Sequence, residues 1–130
     1  MVAELLGVGV REVSALVLGA PPAHAVVPRE GATVSGVPIE RLSQVALRRA
    51  VEGASKHAPG PVALAAAATR VTAALAGSRA ALLQVAAVLQ GEYGHRGMAL
   101  AVPALVASGR LQSVIEIPLA GTYQADLEEL

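Results

Sequence analysis

The stretch from Val62 to Ala76 constrains this chain more than any other. It is almost wholly alanine, valine, leucine and threonine, with Pro59-Gly60-Pro61 before it and Gly77 after it. Alanine carries the highest intrinsic helix propensity. Pro61 suits the first turn of a helix and Gly77 suits its C-cap. A helix is therefore expected over about Val62 to Ala76, and the period changes once Gly77 is passed. Leu82 to Leu89 reads as a strand, with a turn at Gly91 to Gly94. Met98 to Val102 follows, with Pro103 as a break before Leu105 and Val106, and Ser108-Gly109 is a turn. Leu111 to Ile117 alternates, with Leu111, Ser113, Ile115 and Ile117 set against Gln112 and Glu116, the pattern of a half-buried strand.

Val2 to Gly9 reads as the tail of a helix. Val13 to Leu18 reads as a buried strand ending at Gly19. Ala20-Pro21-Pro22-Ala23 is a breaker, because proline cannot donate to a ladder. Ala25 to Val27 and Thr33 to Val37 are two further strands. From Glu40 to Lys56 the period is helical, with Leu42, Val45, Ala46 and Ala50 on one stripe and Arg41, Arg48 and Arg49 off it. Ala120 to Leu130 starts as a helix with Thr122 as its N-cap. A strand cluster, two helices, a strand cluster and a short helix imply an α+β fold, a mostly antiparallel sheet with helices packed on one face. With no repeat and no linker, residues 1–130 are expected to form one domain.

Composition limits the functions open to such a fold. The chain has 130 residues, 54% of them hydrophobic and 15% charged, with no Phe, no Trp and two Tyr, Tyr93 and Tyr123. Its core must be built from small aliphatic groups. Lys and Arg number 10 and so do Asp and Glu, with no basic run, so the clustered cations that nucleic-acid binding needs are missing. There is no cysteine, which excludes thiolate catalysis and Cys-based metal sites. His57 and His95 are far apart and lack a second ligand at metal spacing, so no metal is expected. Gly7-Val8-Gly9-Val10-Arg11-Glu12 opens like a dinucleotide fingerprint but has Glu12 where the third glycine belongs and no strand before it. It reads as a turn between helix and strand. Arg70 interrupts the apolar helix and is expected to snorkel or pair, while Arg96 and Arg110 read as solvated. No apolar run is long enough to span a bilayer, no signal peptide is apparent, and a cytoplasmic protein is expected.

Several motifs in order resemble a known family. Gly91-Glu92-Tyr93-Gly94, Val102-Pro103, Gly109 and Val114-Ile115-Glu116-Ile117-Pro118-Leu119 are similar to the "GEYG … GVP … GG … ELPL" pattern in the C-terminal, substrate-binding domain of malate and lactate dehydrogenases. Val34-Ser35-Gly36-Val37-Pro38-Ile39 resembles the family's "STVSGIPL", and Gly7 to Val10 resembles its "LGVSVEDV" joint.

The resemblance also implies what is altered. The family's catalytic histidine lies in a Gly-Gly-His-Gly-Asp turn, and here that turn reads Gly19-Ala20-Pro21-Pro22-Ala23. Register counted back from Ser35-Gly36 places Pro21 at the histidine position and Ala23 at the acid. Hydride transfer requires a group that exchanges the hydroxyl proton, and neither residue does so. His24 is the one local candidate to take over. The family's substrate-clamping arginine falls before this chain begins. Its "TGSAYYAPAAA" pocket segment corresponds to about Lys56 to Leu64, shorter and without the hydroxyls. The nucleotide-binding half is not in the sequence, so NAD is not expected to bind this chain alone, and no other cofactor is implied. The expected function is a catalytically inactive domain acting as a structural or protein-interaction subunit, by self-association or within a larger complex. The alternative is the substrate-domain subunit of a split or degenerate NAD-dependent malate dehydrogenase.

Overall fold

The computed structural model describes residues 2–21, 24–29, 31–42, 44, 45, 48, 49, 52 and 60–130. The expected alanine-rich helix is present as α2 (Pro61–Ala76), with Pro61 in its first turn and Gly77 as its C-cap. None of its residues is buried, so intrinsic propensity holds this helix more than packing does. Its C-terminal end is fastened to the sheet: Gly109 N–H donates to the Leu75 carbonyl and Ser108 N–H to the Gly77 carbonyl, both at 2.8 Å. Two shorter helices lie near the chain ends, α1 (Val2–Leu6) and α3 (Gly121–Glu128). Residues 44, 45, 48, 49 and 52 are helical, as the Glu40 to Lys56 reading requires. Leu42 and Val45, assigned to a covered stripe, are nevertheless exposed. Ala46 and Ala50 of that stripe lie outside the described residues.

Two antiparallel sheets carry the rest. In the smaller, β1 (Val13–Ser14) pairs with β4 (Thr33–Val34), which pairs with β5 (Val37–Pro38). In the larger, the order is β3 (His24–Val26), β2 (Leu18–Ala20), β7 (Arg96–Ala107) and β6 (Ala81–Gln90), with β8 (Arg110–Val114) also on β7. An α+β fold with antiparallel sheets is thus what the chain adopts.

Individual elements depart from expectation for identifiable reasons. Val13 to Leu18 is not one strand: β1 and β2 belong to different sheets, and the Gln84 side chain bonds the Ala15 carbonyl and the Val17 N–H, each at 2.9 Å, where a ladder would otherwise run. Thr33 to Val37 is a hairpin rather than one strand. Ser35 and Gly36 both have positive φ, 49° and 79°, the two-residue turn whose twist matches paired strands. Ser108-Gly109 repeats that geometry.

Pro103 does not break β7. Its carbonyl accepts from Ile115 N–H at 2.8 Å, so its polar edge faces away from β6. Its partner there is Gln84, and such a non-hydrogen-bonded pair needs no N–H from proline. The strand expected over Leu111 to Ile117 stops at Val114, and Leu111 and Ile115 are exposed. A bulge leaves Gln112 without a cross-strand partner. It shifts the alternation, so that Val114 packs inward against the sheet's core. Ala120, not Thr122, caps α3, and no side chain bonds the helix end.

The core is divided among small clusters. Ala32, Val34 and Ile39 form one beneath the smaller sheet. Ala87, Leu89, Leu100 and Val102 form a second with Tyr93, Val114 and Leu130 against it, and Leu18, Val26 and Leu127 form a third. Each fully buried leucine contributes about 1.5–3 kcal/mol. Among the described residues no helix is long and apolar enough to cross a membrane.

Candidate functional site

The β2–β3 hairpin is where the sequence placed its chemistry. Leu18 pairs with Val26, Gly19 with Ala25 and Ala20 with His24, so β2 ends at Ala20 and β3 begins at His24. Gly19 makes this possible: its φ is +91°, and a Cβ there would collide with the His24 backbone carbonyl. Pro21 stands exposed at the start of the turn. Proline offers neither a proton nor a base. Pro22 and Ala23 lie outside the described residues.

His24 begins β3 and is exposed. It lines a cleft of about 350 Å³ with Asp126 and Glu129 at the C-terminal end of the chain. Asp126 also borders a neighbouring cleft with Arg29 and Arg48. The fold therefore brings an imidazole and two carboxylates together from opposite ends of the sequence. Such a set can bind a cation-bearing ligand or exchange protons. The Gly7 to Glu12 segment is a turn and a short 3-10 helix, as expected. His95 Nε2 lies 2.7 Å from the Leu127 carbonyl, tying β7 to α3. His57 lies outside the described residues. Arg70 is exposed beside a groove of about 480 Å³ lined also by Leu16, Ala66, Ala67, Val71, Leu82, Leu83, Gln84 and Pro103. Arg96 and Arg110 are also exposed.

Sequence reasoning passed over two positioning side chains. One is Gln84, the bridge to Ala15 and Val17 already described. The other is Tyr93, with φ of +50° inside the Gly91 to Gly94 turn. Its hydroxyl accepts from Ile117 N–H at 2.9 Å and donates to the Ile115 carbonyl at 3.3 Å. Its own N–H donates to Glu116 at 3.0 Å. The residue thus ties the β6–β7 turn to the segment after β8. The signal was present: one of two aromatic side chains, set between glycines.

Burial, opposed by the Ile117 N–H, pushes the Tyr93 phenol above its ordinary value. Its folded-state value is raised, so the associated stability is present below the usual tyrosine range and lost as pH rises through the raised value. The Gln90 N–H, at 2.6 Å, is the main cause holding the exposed Glu92 carboxyl below its ordinary value. Tyr93→Phe is expected to cost about 1–3 kcal/mol, because it strands the Ile117 N–H. Urea denaturation with an unchanged slope checks this; a loss below the scatter of replicate curves contradicts the bridging role.

Comparison with known proteins places this geometry. No family model matches the chain. The malate dehydrogenase of Thioalkalivibrio sulfidiphilus is 31% identical over 135 residues, covering 95% of this chain and 44% of the relative. That of Desulforudis audaxviator is 33% identical over 141 residues, covering 95% and 44%. Among solved structures, the malate dehydrogenase from Salinibacter ruber superposes with a TM-score of 0.87 at 29% identity, over 98% of this chain and 45% of that one. The minor L-lactate dehydrogenase from Enterococcus mundtii gives 0.88 at 24% identity, over 98% and 46%, a likeness of fold. The chain spans under half the length of the relatives it matches. Sequence and fold agree that the chain belongs to the lactate and malate dehydrogenase family and corresponds to its C-terminal domain.

Proposed function

We propose that this chain is a catalytically inactive member of the family, a single domain over residues 1–130. It acts as a structural or protein-interaction subunit in the cytoplasm, through self-association or in a larger complex. The observation that carries this reading is Pro21, exposed at the start of the β2–β3 turn, where the family resemblance calls for the histidine that exchanges the substrate proton. Exposed apolar side chains support the second half of the reading. Val62 and Leu64 on α2 are 82% and 55% exposed, and Leu82 and Val88 on β6 are 59% and 58%. Exposed apolar side chains mark an interaction site where they lie together on one face, as Leu82 and Val88 do on alternate positions of β6.

A second reading, the substrate-side subunit of a split NAD-dependent malate dehydrogenase, draws on His24 beside Asp126 and Glu129. On both readings the purified chain alone leaves NADH unbound, and the two differ in what accompanies the chain in the cell. Calorimetric titration with NADH is expected to show no binding, and neither oxaloacetate nor pyruvate is reduced at any NADH concentration. Micromolar NADH affinity would overturn both. Native mass spectrometry of the protein from its own cells then separates the roles. Co-isolation with a nucleotide-binding dehydrogenase chain, with activity lost in His24→Asn, supports the split enzyme.

A further inference from the structure

Strand β6 forms one edge of the larger sheet. Its backbone orientation follows from Pro103. That residue faces Gln84 without an N–H to give, and its carbonyl is turned to Ile115. Gln84 therefore sits in a non-hydrogen-bonded pair, and in an antiparallel ladder such pairs alternate with bonded ones. The N–H and C=O groups of Leu82, Gln84, Ala86 and Val88 consequently point away from β7, along the outer edge. Among the described residues none of these backbone groups has a partner.

Long edges of this kind are usually blunted by charge, proline or brevity. This one runs for 10 residues, Ala-Leu-Leu-Gln-Val-Ala-Ala-Val-Leu-Gln, with no charge and no proline. Its sole irregularity is a bulge between Val88 and Gln90.

We propose that the β6 edge pairs antiparallel with the β6 edge of a second copy, about a two-fold axis through Val85, joining two sheets into one. The proposal rests on the self-association reading above and names the surface that performs it.

Three features select a second copy over an unrelated strand. A two-fold at Val85 sets Leu82 opposite Val88 and Val88 opposite Leu82, so the two large exposed apolar side chains of the strand cover each other. The same register brings Gln84 opposite Ala86, so all four outward-facing backbone positions meet their like as hydrogen-bonded pairs. Finally, it sets Arg79 of one copy level with Gly91 of the other, next to Glu92. An otherwise uncharged edge thus gains opposite charges at both ends. An isologous contact of this type closes after two copies.

The chain has no cysteine, which permits a clean cross-linking test. Leu82→Cys and Val88→Cys are prepared separately, both at exposed positions outside the core. Paired Cα atoms in this register lie about 5.5 Å apart. Leu82 and its own copy would lie roughly 20 Å apart, six residues along extended strands. Mixing the two variants under mild oxidation is expected to give disulfide dimer about 100-fold faster than either alone, as millimolar effective concentration against micromolar collision implies. Equal cross-linking in the separate and mixed samples overturns the register, and so does no cross-linking in the mixture.

Sedimentation of the unmodified chain separates this from the broader reading. A dimer whose mixed cysteines do not cross-link overturns the edge contact but leaves self-association standing. A monomer at all concentrations overturns both. In Leu82→Lys/Val88→Lys, lysine faces lysine at both cross-strand pairs. This variant is expected to dissociate at about tenfold or more higher concentration, and an unchanged dimer also overturns the proposal.

Discussion

Gly19→Ala is expected to destabilise the fold by about 4 kcal/mol or more, near the exceptional end for one added methyl group. Two costs combine. Gly19 sits at φ +91°, a conformation that costs an L-residue about 1–3 kcal/mol. Its Cβ would also strike the His24 backbone carbonyl across the hairpin, with the Leu130 side chain 3.3 Å away. The side chain could move, but the carbonyl is fixed by the pairing of β2 with β3. Opening that pairing would loosen Leu18 and Val26, which with Leu127 form a core cluster. The melting temperature should fall by roughly 15 °C for a chain of this size.

Gly36→Ala is the control. Gly36 has φ +79°, and a methyl group added there would meet nothing within 4 Å, so it bears the backbone cost alone, about 1–2 kcal/mol. Denaturant unfolding of both variants measures the difference directly. If Gly19→Ala loses no more than Gly36→Ala, the close approach across the hairpin is not what requires glycine there.

Leu100→Ala is the second large effect, expected at about 2–5 kcal/mol and toward the upper end. Leu100 is 1% exposed on β7, packed with Ala87, Leu89 and Val102, with Tyr93, Val114 and Leu130 against them. The cost of such a truncation depends on how far the neighbours relax into the cavity. Here they are short aliphatic side chains on strands locked in register: Ala87 pairs directly with Leu100, and Val85 with Val102. The one ring nearby, Tyr93, is held by the hydrogen bonds of its hydroxyl to Ile115 and Ile117 and so is not free to swing into the gap. Leu82→Ala on β6, 59% exposed, should change the stability of the monomer, measured at a concentration below dimerisation, by no more than about 0.5 kcal/mol. Similar losses at both positions, measured by urea unfolding, would contradict the assigned core.

The sequence alone determined the helix Pro61–Ala76 and the strand β6, each to within a residue of its ends, the turn at Ser108-Gly109 and the antiparallel α+β class. Each rests on a local signal: alanine propensity between proline and glycine, an apolar run bounded by Gly77 and Gly91, or a Ser-Gly pair. The family followed from short motifs in fixed order, because spacing survives where identity has fallen to about a third. That Pro21 offers neither a proton nor a base was likewise legible, since a side chain's chemistry is read from its name.

Tertiary structure decided what depends on neighbours. Whether Pro103 ends a strand turns on which edge its missing N–H faces, and that is fixed by Gln84 on one side and Ile115 on the other. Val13 to Leu18 looks like one strand in any local window, yet Gln84, 67 residues from Val17, divides it between two sheets. The inward face just after Leu111 was misread because one bulged residue, Gln112, shifts the alternation so that Val114 turns inward and Ile115 outward, while Ile117 packs inward as read. His24, Asp126 and Glu129 share a cleft although about a hundred residues separate them in the chain. Local propensity acts over a few residues, whereas register, burial and the meeting of charges are settled only when distant segments compete for the same hydrogen bonds and the same apolar surface.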